Sequence, residues 1–214
     1  PGIIPWLTAR PALFLLFLLR LFPAGPAATL ARGVGSLVWW MPRRRALGLA
    51  HLKRALPELA SREREGILKE SCRHMGLFGI DSVSLLPRHR GALLARVEFE
   101  DGAEETLLAA RGLGAVVVQP HLGCFEGMTY ILAEMGLKPA VPMRLPTNLY
   151  LARRLESARG EWGVRLLPRR GGVRALMSHQ KEGGTVLLAP DQNSHQAPVF
   201  LPWFGELAAT DRTA

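Results

Sequence analysis

The sequence predicts an α/β fold: a mostly parallel central sheet flanked by helices, with an apolar helical region ahead of it. Three observations carry this. Short apolar or β-branched runs at residues 115–118, 139–145, 164–167 and 185–189 alternate with stretches of helical period. That order builds a parallel sheet covered on both faces. Gly114, Pro120, Gly136 and Gly183-Gly184 punctuate the joins. The first forty-one residues differ in kind, being apolar and broken by Pro5, Pro11, Pro23 and Pro26.

Residues 11–22 hold Leu13-Phe-Leu-Leu-Phe-Leu-Leu19 and then Arg20. This is shorter than the roughly twenty residues a spanning helix needs, so a membrane-associated helix is expected. A signal-peptide core is the competing reading, with Arg10 as a thin positive flank and no clear cleavage site. Trp39 and Trp40 beside Arg43-Arg44-Arg45 suit a lipid headgroup level; a buried helical hairpin with the tryptophans as core is the alternative. Two domains follow: an N-terminal membrane-associated segment, 1–42, and an α/β domain, 43–214. Residues 43–57 and 62–77 have the period of amphipathic helices, the second capped by Ser61. Residues 97–100 resemble a short strand before an Asp101-Gly102 turn, and residues 103–110 a helix. Further helices are expected at 148–162 and 172–180, and a last strand at 199–203.

Composition bounds the function. The chain has 214 residues and a net charge of +9, which points to an acidic partner or an anionic surface. Basic residues alternate with acidic ones and no nucleic-acid motif is present, which argues against nucleic-acid binding. Cys72 and Cys124 have no paired spacing, fitting a reducing compartment, and no metal-ligand pattern occurs.

The chemistry centres on Gly114-Ala-Val-Val-Val-Gln-Pro-His121-Leu-Gly-Cys-Phe-Glu126. The apolar run is expected to be a strand buried on both faces, ended by Pro120, which has no N–H for a ladder. Phe125, Met128, Ile131, Leu132 and Met135 then repeat with helical spacing. On one continuous helix, positions five apart would point about 140° from each other. With His121 in the loop and Glu126 in the first turn, the imidazole can fold back to the carboxylate. A carboxylate so placed fixes the imidazole tautomer and stabilises the imidazolium. The plainer reading, a strand-end histidine and a first-turn acid, stays open on spacing alone. Cys124 also invites a Cys–His nucleophile, though a small buried hydrophobe is the commoner use of cysteine.

The His-x4-Glu pattern behind a strand, with Gly-Cys-Phe inside it, resembles the motif of glycerolipid acyltransferases. More narrowly, it is similar to the branch of bacterial lipid A biosynthesis (lauroyl/myristoyl) acyltransferases and phosphatidylinositol mannoside acyltransferases. Further blocks agree in order: Arg43-Arg-Arg-Ala-Leu-Gly-Leu-Ala-His-Leu-Lys-Arg-Ala-Leu-Pro57-Glu58, Arg159-Gly-Glu-Trp-Gly163, Leu167-Pro168-Arg169-Arg170-Gly171, Ala189-Pro-Asp191-Gln192-Asn193, and residues 199–210.

The resemblance implies a glycerol-3-phosphate acyltransferase-like fold on the cytoplasmic face of a bacterial inner membrane. It implies transfer of a fatty acyl chain from acyl carrier protein or coenzyme A to a lipid hydroxyl. No cofactor beyond that co-substrate, no metal and no nucleic acid are expected. His121 would be general base and Glu126 its orienting acid. Gly123, Arg144, Arg159, Arg170 and Asp191 are the candidate substrate-binding residues. Arg159 and the backbone N–H groups near Gly123 are candidates for stabilising an oxyanion. The family continues past the equivalent of Thr210, so the domain is expected to be C-terminally incomplete. Asp211-Arg212 stands where a Gly-rich turn is the family pattern.

Overall fold

The computed structural model describes residues 2–19, 21–84, 91, 94–168, 172–193 and 198–211. In chain order the helices are α1 (Ile3–Leu19), α2 (Ala24–Ser36), a 3-10 turn at Leu37–Trp40, α3 (Pro42–Ala55), α4 (Ser61–Ser84) and α5 (Ala103–Ala109). Then come β1 (Val116–Val118), α6 (Phe125–Glu134), β2 (Pro139–Met143), α7 (Leu149–Gly160), β3 (Arg165–Pro168), α8 (Val173–Lys181), β4 (Thr185–Leu188), β5 (Val199–Trp203) and β6 (Glu206–Thr210). Two compact units result. One holds Pro1–Arg20 with Ser82–Pro190, the other Leu21–Asp81 with Asp191–Thr213.

The first unit contains a four-stranded, all-parallel sheet in the order β1-β4-β2-β3. Alternation along each strand sorts its residues to two faces. Val186, Leu188, Ala140 and Leu167 pack with Leu176 of α8. Leu187, Val117 and Val141 pack with Leu132 of α6, with Met135 just after it, and with Leu107 and Leu108 of α5. The sheet is thus covered on both sides, and β4 is buried throughout. β1 corrects one expectation. It is the sheet's edge, and Val116 and Val118 are 48% and 58% exposed, so only one of its faces is buried. Gly114 opens β1 at φ +71°, and a Cβ there would stand 2.3 Å from the Gln180 carbonyl oxygen, so only glycine fits.

Asn148 caps α7 by accepting from the N–H groups of Tyr150 and Leu151, and its amide donates to Pro5 O of α1 at 2.7 Å. One residue therefore ends a loop and docks the first helix, whose Ala9 is fully buried. Much of the rest of α1 faces outward: Ile3, Phe14 and Phe17 are each more than half exposed. Among the described residues no helix is long and apolar enough to cross a membrane.

In the second unit α2 and α4 cross at backbone contact. A Cβ at Gly76 would lie 1.9 Å from Ala31 O, and one at Gly35 would lie 2.3 Å from Cys72 O. Arg32 of α2 pairs with Glu70 of α4 beside the same crossing. Glu70 is held below the usual carboxylate range, first by the hydrogen bond from Arg73 and also by the charge of Arg32. Trp39 is half-buried under Arg45 and Lys69, whereas Trp40 stands exposed. The tryptophans are therefore not the core of a hairpin.

Two further expectations are corrected. Residues 97–100 form no strand: they are loop, and Glu100 O accepts from Ala103 N–H to open α5. Ser61 is the first residue of α4 rather than its cap; the Glu63 carboxylate reaches back to Ala60 N–H at 2.7 Å. The strand expected at 199–203 forms as β5, and it has an antiparallel partner, β6, joined through Phe204 and Gly205 at φ +50° and +75°. Two successive positive φ values make a tight hairpin turn.

Candidate active site

Beyond β1 the Gln119 N–H bonds Leu188 O at 2.9 Å, the last link to the sheet before Pro120. His121 follows in a bend, half-buried, its ring edge-on to Phe125 at 4.7 Å between centroids. The Gln119 side-chain amide donates to Phe125 O at 3.2 Å and ties the two ends of the loop together. Gly123, at φ +56° and exposed, supplies the bend. α6 begins at Phe125, so the Glu126 carboxylate sits in its first turn, where the helix dipole favours an anion.

Arg159 lies in the last turn of α7, where a cation is favoured. Its Nη2 donates to Glu126 Oε1 at 2.7 Å. The arginine side chain is 4% exposed and the glutamate 17%, so this is a buried, charge-assisted pair. Arg159 Nη1 is also buried and has no hydrogen-bond partner among the described residues.

Beside the pair, Tyr130 and Trp162 meet edge to face at 4.7 Å between centroids. They pack on Val164, with Cys124, Val141 and Leu166 against them. Burial pushes the Tyr130 phenol up to about 12; Arg159 pulls it down, while Glu126 and Cys124 push it further up.

The residues singled out from the sequence are placed as follows. Glu126 and Arg159 are brought together. Arg159, a candidate for binding substrate, is enclosed and engaged with the acid. His121 and Gly123 lie on the loop just ahead of that acid. Arg144 is exposed immediately after β2, at the carboxyl end of the sheet. Asp191 is exposed, three residues past β4, and begins the later segment of the second unit. Arg170, with Arg169, lies outside the described residues. Cys124 is half-buried against the aromatic pair, the environment of a small apolar side chain. Among the described residues no cluster of three or more His, Cys, Asp or Glu side chains could hold a metal ion. Tyr130 and Trp162 were not anticipated. Their spacing, four residues after Glu126 and three after Arg159, is the signal that marks them.

The class is that of acyltransferases acting on lipids. A model of the family described as bacterial lipid A biosynthesis acyltransferase matches residues 4–214, and the chain belongs to that family. No curated protein matches the chain.

Proposed function

We propose that this enzyme transfers a fatty acyl group from an acyl thioester, on acyl carrier protein or coenzyme A, to a hydroxyl of a glycolipid such as a lipid A precursor. The observation that supports it best is the half-buried acid: Arg159 holds Glu126 one residue into the helix that begins four residues after His121. A carboxylate held there can orient a neighbouring imidazole through its second oxygen.

His121 takes the proton of the acceptor hydroxyl, and the oxygen attacks the thioester carbonyl. The tetrahedral oxyanion collapses with loss of the C–S bond. The imidazolium returns its proton to the thiolate, giving an ester and a free thiol. Arg159 is engaged with Glu126, which leaves backbone N–H groups about Gly123 as the oxyanion donors. Arg144, exposed after β2, suits an anionic headgroup or the acidic face of a carrier.

Membrane association belongs to the same reading. α1 exposes Ile3, Ile4, Phe14 and Phe17, Arg10 stacks on Trp6 at 4.1 Å, and α3 carries no acidic residue. Apolar side chains beside arginine suit the cytoplasmic face of an anionic membrane. Phosphatidylinositol mannoside and lysophospholipid are the alternative acceptors. Acyl transfer followed by mass spectrometry, with each acceptor and both donors, tests the assignment. Esterification of the lipid A precursor is expected. Transfer only to one of the other acceptors would reassign the substrate, and transfer to none would remove the enzymatic reading.

A further inference from the structure

We propose that Tyr130 and Trp162 are positioning residues for this transfer. They form an aromatic wall that keeps water from the Arg159–Glu126 pair and, through Cys124, seats the loop carrying His121. The proposal deepens the function above and rests on it.

The geometry is economical in its sources. α6 supplies Glu126 and, one turn later, Tyr130. The end of α7 supplies Arg159, and Trp162 follows three residues on. Each segment thus gives one member of the ion pair and one of the aromatic pair: Glu126 and Tyr130 share a helix face at i,i+4, and Trp162 sits in the turn closed by its N–H bond to Arg159 O at 3.0 Å. Both rings are 4% exposed and in contact with each other. Cys124, the residue that precedes α6, packs against them, so the same contact reaches back toward His121.

A dry surround strengthens the attraction between two charges, and water entering it weakens the pair. Arg159 depends on that surround more than most arginines. Only one of its terminal nitrogens has a hydrogen-bond partner among the described residues, so the orientation of the guanidinium rests on packing as well as on the carboxylate. The phenol of Tyr130 responds to both charges, lowered by Arg159 and raised by Glu126.

The test uses the full chain in the acyl-transfer assay, with Tyr130→Phe and Trp162→Phe, which keep an aromatic ring at each site. Trp162→Phe is expected to lower kcat about tenfold with KM unchanged, and Tyr130→Phe about threefold, as a sub-ångström displacement of a reacting group does. In an Arg159→Lys background, Trp162→Phe should cost little more, because both changes act on one pair. Wild-type kcat in both variants overturns the proposal. So does an equal fold-loss in the two backgrounds, the mark of a merely structural role. A second readout needs no turnover. The chain has two tyrosines, Tyr130 and Tyr150. With fluorotyrosine incorporated, the Tyr130 fluorine resonance should move in Arg159→Lys while that of Tyr150 stays; an unmoved resonance also overturns it. Activity surviving in His121→Ala would instead remove the proposed mechanism, whereas an inactive His121→Ala alongside fully active aromatic variants removes only the wall.

Discussion

Arg159 shows how one contact changes the meaning of a residue. Its guanidinium is closed off from solvent and pinned to Glu126. Removing one partner of a buried pair leaves the other charge uncompensated, which costs about 3–5 kcal/mol. Arg159→Gln is therefore expected to lose about that much in urea unfolding, with turnover falling too. A change under about 1 kcal/mol would show that the pair is wetter than its burial indicates. The placement of His121 in a loop and of Glu126 in a first helical turn was legible in the sequence because it depends on local features: Pro120 ends a strand, Gly123 bends the chain, and Phe125 starts a helical period. The partnership of Glu126 with Arg159 was not. The two are 33 residues apart, and only the packing of α7 beside α6 brings them together.

The helices and strands repeat the same division. Strong periodicity marked α6, α7, α8 and the strands β2, β3 and β4 to within a residue or two, because burial on a defined face leaves a period behind. Residues 97–100 have strand composition but, among the described residues, no neighbouring strand to bond with, and β propensity alone does not make a strand. β1 has the composition of an interior strand yet lies at the edge, since strand order is set by crossovers that composition does not encode. β6 was hidden because Phe204 at positive φ is an uncommon turn former. In the second unit the α2–α4 crossing rests on glycine at the point of contact. Gly76→Ala puts a methyl into the Ala31 carbonyl and is expected to cost about 3 kcal/mol, as overpacking does. Gly66→Ala is the control, because nothing lies within 4 Å of a Cβ there, and it should be neutral or stabilising. Chemical unfolding of the two variants checks the difference; equal stabilities would mean that the helices can separate freely.

Taken as a molecule, the chain combines a net charge of +9 with an apolar first helix that is more than half exposed at Ile3, Phe14 and Phe17. Charge and exposed apolar surface together suit binding to anionic lipid, a property that does not require the imidazole. Turnover and membrane binding are therefore separable, and one variant separates them. His121→Ala, assayed with acyl thioester and lipid acceptor on phosphatidylglycerol vesicles, should lose turnover by about 10³-fold or more. Its cosedimentation with the same vesicles should match wild type. Full turnover in His121→Ala would contradict the acid–base mechanism outright, whatever the vesicles bind.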